Sequence, residues 1–335
     1  MPNMRKKSVQ IIIALLISAI GLVIALRGVN LTEIGAALRE VRWPWVVLGV
    51  GCMALSFWFR AYRWRILLDG QLSVLEAFGL INIGYLISGI LPLRAGDPAR
   101  GVAAGMRTPV SVMAALSTVV IERTLDLLTV AIFLVLTLPF ITVGDSVVAG
   151  LASGGAALAL LVVLILMARF PEATESFARA ILERLPLGDP ERWLAPLRDT
   201  LAGLQVLRSP RKGLGLLGFS VAIWAAVVVY YIVLQHALLF DAMPPAPLLT
   251  ALTVTWATAL GMAVPSQGGI GGYHAAARWA LSLFGVGSAL AATYGLLAHA
   301  ISYLLGMILG AIALMVWGIS IRDLSARSQK VAEQK

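Results

Sequence analysis

Six charged residues sit inside stretches that are otherwise apolar. Arg94, Asp97 and Arg100 lie in Leu91-Pro92-Leu93-Arg94-Ala95-Gly96-Asp97-Pro98-Ala99-Arg100, and Glu122, Arg123 and Asp126 in Ile121-Glu122-Arg123-Thr124-Leu125-Asp126-Leu127-Leu128. An ionised side chain at the centre of a bilayer helix costs about 2.5–3.5 kcal/mol on insertion scales, so such groups persist where they face a bundle interior or a wet cavity. Two guanidiniums near one carboxylate leave a net positive site suited to phosphate, which Arg grips with two parallel N–H bonds. The same arginines equally suit a cytoplasmic cap beside lipid headgroups. Glu122 and Asp126 are four apart and share a helical face, while Arg123 reaches toward a neighbouring helix. That trio reads as a proton or headgroup relay, or as a structural ion-pair network between helices.

A second group lies later in the chain. Gly268-Gly269-Ile270-Gly271-Gly272-Tyr273-His274 follows Pro265 and Gln267. Glycine permits tight turns, and N–H groups left exposed there would cradle an anion. Close helix packing through small residues accounts for the same pattern. No Gly-Lys-Ser/Thr ending follows, so this is not a P-loop. His299 lies mid-helix in Leu296-Leu297-Ala298-His299-Ala300-Ile301, with Tyr303 one turn on. No Ser/His/Asp constellation is visible. Three histidines and one cysteine without metal-ligand spacing argue against a zinc site.

The elements that must hold these residues are membrane helices. The chain has 335 residues, 59% hydrophobic and only 13% charged, which excludes a soluble domain. Alternating strands of a β-barrel are not seen. The net charge of +9 suggests lysines and arginines in cytoplasmic loops rather than nucleic-acid binding. Trp43, Trp45 and Trp317 fall near expected membrane edges. Arg5-Lys6-Lys7 and the run Val9–Leu26 read as an uncleaved first span.

Full spans are expected over 9–26, 43–59, 110–140, 147–168, 213–240 and 289–319. The segment 110–140 would extend ~46 Å if wholly helical, longer than the ~30 Å core. Two further apolar stretches, 74–92 and 248–264, run into breaks at Pro92–Pro98 and Pro265. The loop 169–212 carries Trp193, Leu197, Leu201 and Leu204 at helical spacing, suggesting an amphipathic surface helix or a small helical hairpin. If 74–107 enters from the cytoplasm and returns, Arg107, the loop and the tail (Arg322, Arg327, Lys330) all come out cytoplasmic, as do both termini. Arg60, Arg63 and Arg65 then cap the second span on that side. The segment 248–285 would dip from the opposite face. Broken backbone at membrane depth is tolerated where protein or a wet cavity covers it.

A weak internal repeat supports this arrangement. Pro92 aligns with Pro265, and Ser111-x-x-Ala114-Ala115 with Ser288-x-x-Ala291-Ala292. In the second register Glu122 falls on His299 and Asp126 on Tyr303. The expected fold is an all-α polytopic membrane protein: an inverted-repeat bundle of about six full spans and two re-entrant helical hairpins. It forms a single domain over 1–335, with repeats at about 43–168 and 213–319.

These motifs resemble the integral-membrane, flippase-like region of bacterial lysylphosphatidylglycerol synthetase/flippase and its stand-alone relatives. The family pattern runs LPxRAGE-x-x-R, then ER-x-x-D, then P-x-PGGIG-x-x-E, then a late basic residue before aromatics. Here it appears at Leu91–Arg100, Glu122–Asp126, Pro265–Gly271, and His299 before Tyr303. Three positions depart from it: Gln267 stands for Pro, His274 for Glu and His299 for Arg. The resemblance implies translocation or binding of a phospholipid or polyprenyl-type lipid in a bacterial or archaeal cytoplasmic membrane, without a soluble aminoacyl-transferase domain. It implies no enzymatic activity and no cofactor. The expected partner is a phosphate-bearing lipid headgroup, with a homo-oligomer or a membrane enzyme as further partners. Candidate substrate-binding residues are Arg94, Asp97, Arg100, Glu122, Arg123, Asp126, Gln267, Gly268, Gly269, Gly271, His274, His299 and Tyr303. A secondary transporter of a small soluble anion, or a non-transporting partner of a lipid-linked glycosyltransferase, are the alternatives.

Overall fold

The computed structural model describes residues 16–320 and Leu324, apart from 17, 24, 92–94, 111, 142–165, 167–168, 185–188, 192, 195–196, 199–209, 239–242 and 265. All regular structure among the described residues is helical. The helices are α1 (Leu31–Arg39), α2 (Trp43–Leu67), α3 (Val74–Ile90), α4 (Gly96–Arg107), α5 (Val112–Thr137), α6 (Pro171–Leu182), α7 (Pro210–Leu238), α8 (Pro247–Gly261), α9 (Gly272–Ser282) and α10 (Ser288–Trp317). Short 3-10 turns cover Leu138–Phe140 and Gln267–Gly269. The expected span 147–168 falls almost wholly outside the described residues. Of 9–26, the described part from Leu16 onward is helical.

Apolar content and length decide which helices cross. Among the described residues, α2, α7 and α10 are long and apolar enough to span a membrane. The 26 residues of α5 extend about 39 Å, but they carry Glu122, Arg123 and Asp126. The 17 residues of α3 and 15 of α8 reach only about 26 and 23 Å, short of a ~30 Å core. The element order is therefore long, short, short, long, twice over: α2–α5, then α7–α10.

Start and stop signals explain the short helices. Ser73 and Glu76 form a reciprocal capping box that opens α3. Leu91 at its end is already extended, with ψ 141°, as expected next to a proline. Within each short pair two glycines let the backbones touch. A Cβ on Gly84 would lie 3.1 Å from the Gly96 carbonyl, and one on Gly261 would overlap the Gly272 carbonyl. The second hairpin turns through Gly268, Gly269 and Gly271, all at positive φ.

The halves interlock. α2 lies along α7, with Gly49 against Leu234 and Tyr230. α10 packs on α3 through Gly306, which faces Tyr85, and Gly310, which faces the Asn82 carbonyl. This Gly-x-x-x-Gly spacing allows close backbone approach. α5 packs on α8 in the same crosswise sense. Side chains mark the two ends of the bundle. The Trp317 ring lies against Gly79 and under Arg107, 4.6 Å from its guanidinium. Lys212 pairs with Asp69. At the other end Arg42 N–H donates to the Ala237 carbonyl at 3.0 Å, and Arg278 Nη1 to the Ala25 and Arg27 carbonyls.

One expectation needs correction. The second span does not stop at 59: α2 continues to Leu67 and carries Arg60 and Arg63 into the bundle rather than into a loop. Arg is a good helix former, and Asp126 meets both side chains. In the 169–212 loop the defined helix is α6, ahead of the expected periodic stretch. In that stretch Leu194 is buried and Trp193 is 53% exposed. Leu201 and Leu204 lie outside the described residues. Arg198 and Arg179 clamp Glu191, and both also reach Glu175.

Candidate functional site

α5 runs down one side of the first hairpin and presents its three charged residues to it. Glu122 faces α4 and pairs with Arg100; the two side chains are 8% and 7% exposed. Arg123 turns to Asp97, its Nη2 donating to both carboxylate oxygens at 3.0 Å. Asp126, one turn on from Glu122, faces α2. It accepts from Arg63 Nη1 at 2.9 Å and from Arg60 Nη1 at 3.2 Å, with Arg123 at 4.0 Å. Four arginines thus meet three carboxylates around one cleft, also lined by Ile81, Gly84, Tyr85 and Ser88 of α3. The formal charge there is +1.

Aromatic and hydroxyl groups fix the cations. The Arg100 guanidinium lies 4.4 Å over the Trp64 ring, whose N–H is held by Thr118 Oγ1 at 2.8 Å. Arg60 stands 5.8 Å over Trp224, and Arg63 Nη1 also donates to Ser220 Oγ. Not every donor is matched: Arg63 Nε and Nη2 and Arg100 Nε are buried without a hydrogen-bond partner among the described residues. Buried guanidinium N–H groups left unpaired are costly. They leave free donors for an anion or water. The cavity holds about 40 Å³, room for two or three waters. A phosphate group would need a carboxylate to swing aside.

The second group forms another centre. His274 accepts from the Gly271 N–H through Nδ1 at 3.2 Å; its Nε2 lies 3.2 Å from His299 Nδ1. His299 Nε2 is 3.0 Å from the Gly268 carbonyl oxygen. Tyr273 stacks on His299 at 4.6 Å, and Tyr303 packs edge-on to it at 5.4 Å. Tyr303 Oη and Gln267 Nε2 both donate to the Gly89 carbonyl at 2.8 Å. The break of the first hairpin and the glycine turn of the second therefore meet beside the middle of α10.

The expected residues separate into these two places. Asp97, Arg100, Glu122, Arg123 and Asp126 come together in the first. Gln267, Gly268, His274, His299 and Tyr303 come together in the second. Gly269 sits next to Met262, and Arg94 lies outside the described residues. The anion cradle expected of the glycine turn is corrected in part: the Gly271 N–H serves His274, and Gly268 offers its carbonyl to His299. His274 and His299, the positions where the resemblance leads one to expect Glu and Arg, touch each other. Two imidazoles in contact stand at these positions. Sequence reasoning missed Arg60 and Arg63 because the apolar run ends at Phe59. Their signal was helical spacing, since Arg60, Arg63 and Trp64 continue the face of α2.

The model of the lysylphosphatidylglycerol synthase TM region matches residues 11–310. No curated protein and no solved structure gives a significant match.

Proposed function

Because the chain belongs to the family of the lysylphosphatidylglycerol synthase TM region, associated with flippase-like membrane function, we propose that it translocates a phosphate-bearing lipid headgroup through the arginine cleft of the first hairpin. The carrying observation is the set of unpartnered N–H groups on buried Arg63 and Arg100 inside a cluster of formal charge +1. Asp97, Glu122 and Asp126 hold the guanidiniums apart and poised while no substrate is bound. An arriving phosphate replaces a carboxylate as acceptor, and the displaced carboxylate is a natural trigger for the next movement.

In this reading the two halves form an inverted repeat of six spans and two re-entrant hairpins that enter from opposite faces. Support comes from the repeated long–short–short–long order, the glycine contacts Gly84–Gly96 and Gly261–Gly272, and the crosswise packing of α10 on α3 and α5 on α8. The end carrying Asp69, Arg107, Lys212 and Trp317 faces the cytoplasm, following the positive-inside rule. Transport proceeds by rocking of the halves about the meeting point at Gly89, Gln267 and Tyr303.

The test is reconstitution into liposomes with headgroup-labelled lipids of several classes, comparing the parent with Arg63→Gln and with Arg100→Gln/Glu122→Gln. Flux in the parent that folded variants lose supports the reading. Flux equal in all three removes the cleft from the path. The same cluster suits a carrier of a small soluble anion, and uptake of radiolabelled phosphate into the same vesicles without lipid movement would favour that reading instead.

A further inference from the structure

The histidine pair has a hydrogen-bond order with fixed ends. At one end the Gly271 backbone N–H can only donate, so His274 Nδ1 accepts. Neutral His274 then carries its proton on Nε2 and donates it to His299 Nδ1. Neutral His299 carries its proton on Nε2 and donates to the Gly268 carbonyl, which can only accept. Three bonds hold three protons, one each. This is the one tautomer arrangement that makes all three bonds.

A further proton has no gap to enter. Placed on His299 Nδ1 it faces the His274 Nε2–H. Shifted to His274 Nδ1, with His274 Nε2–H kept, it faces the Gly271 N–H. Either way one bond must open, and each bond ties the second hairpin together or to α10. Among the described residues no carboxylate, Lys or Arg is bonded to the pair. α9 contributes Tyr273, α10 Tyr303, the turn Gln267, and α7 and α8 contribute Tyr231 and Thr258 through the Tyr273 hydroxyl. The His299 ring is 5% exposed as a residue and His274 7%. An imidazolium formed on His299 keeps the Gly268 carbonyl and aromatic faces beside it, and its unpaired N–H is drawn toward water or an anion.

We propose that His274 and His299 form a proton-binding site that couples proton uptake to release of the second hairpin. One proton enters the pair from the aqueous side, adds to an imidazole nitrogen lone pair and leaves as the pair returns to neutrality; no other bond is made or broken covalently. Release opens the His274–His299 or the Gly271–His274 bond and so loosens the turn that also carries Gln267, whose amide holds the Gly89 carbonyl at the break of the first hairpin. Gly89 adjoins Ser88, which accepts from the Gly96 N–H and lines the arginine cleft. A proton at the second hairpin is thereby placed to loosen the first. The inference rests on the reading that the hairpins move during transport, but the proton site can be tested without transport.

The chain has three histidines, and His236 is apart, stacked on Trp45 at 4.8 Å. In a His236→Gln background, imidazole NMR of the purified full chain reads only the pair. Acidifying from about pH 8 to about pH 5, where histidine changes charge, should bind one proton per pair. The hydrogen-exchange protection factor over 266–275, which corrects for the intrinsic pH dependence of exchange, should fall about tenfold in the same step. His299→Gln keeps an acceptor for His274 and a donor for Gly268, so it should fold and show a protection factor that is flat with pH. A pair that stays neutral over this range, or that titrates with no change in protection, overturns the proposal. In liposomes, lipid flux should follow an imposed pH gradient in the parent and not in His299→Gln. Flux indifferent to the gradient overturns the coupling, while absence of any lipid flux alongside a normal titration and exchange response counts against the lipid reading alone.

Discussion

The Arg100–Glu122 pair separates architecture from transport. Both side chains are more than nine-tenths buried, and the guanidinium lies on Trp64. Removing one partner of a buried ion pair costs about 3–5 kcal/mol because the other charge is stranded. Glu122→Gln belongs at the low end, about 3 kcal/mol. Its amide oxygen still accepts from Arg100, and the Trp64 face still holds the cation. Arg100→Met belongs at the high end, about 5 kcal/mol, since Glu122 keeps no cation: the neighbouring Arg123 is engaged with Asp97. Arg100→Met/Glu122→Leu removes both charges and fills the space with apolar groups. Its stability should return to within about 1 kcal/mol of the parent. Denaturant unfolding of the purified protein in micelles, read by circular dichroism, gives the three values and the coupling between the positions. Flux in liposomes is measured on the same preparations. The double variant should be stable and inactive. Single substitutions that each cost under about 1 kcal/mol would refute the burial argument, and a stable double variant with full flux would refute the role of the cleft.

Other outcomes follow from particular contacts. Gly96→Ala and Gly272→Ala each place a methyl against a facing carbonyl; each should cost about 1–3 kcal/mol as overpacking, measured as the loss in unfolding midpoint, whereas Gly35→Ala, with open space around it, should cost nothing. Arg123→Gln should barely change stability, by less than about 1 kcal/mol, because that side chain is 45% exposed; its effect should instead appear as lost flux. Arg198 holds the Glu175 carboxyl below the ordinary carboxylate value, and Arg198 with Arg179 does the same for Glu191. Depressed folded values stabilise above the unfolded pKa of about 4.3 and lose that contribution as pH falls through them. Hydrogen-exchange protection factors over 171–182 should therefore stay constant from pH 8 to about pH 5, and fall only in more acid solution or, because these groups are exposed, in high salt.

What the sequence determined by itself was the class of molecule and its order. Its apolar content required membrane helices, and Pro92 and Pro265 marked where helices break. Glu122 and Asp126, four apart in an apolar run, already implied an inward face, because charge is not left in lipid. The extent of α2 was not legible, since an apolar-run criterion stops at Phe59 while a helix continues wherever partners satisfy its charges. Those partners lie far along the chain: Asp126 for Arg60 and Arg63, and Glu122 for Arg100. Nor could spacing alone tell that the glycine turn presents a carbonyl and an N–H to two histidines rather than a row of N–H groups to an anion. That depended on φ at Gly268, Gly269 and Gly271 and on where α10 delivers His299. Local patterns fix where helices start, stop and turn, because capping, sterics and hydropathy act over a few residues. Pairing of charges and the direction of hydrogen bonds depend on which faces meet, and only the packing of α3 and α9 on α10 decided that.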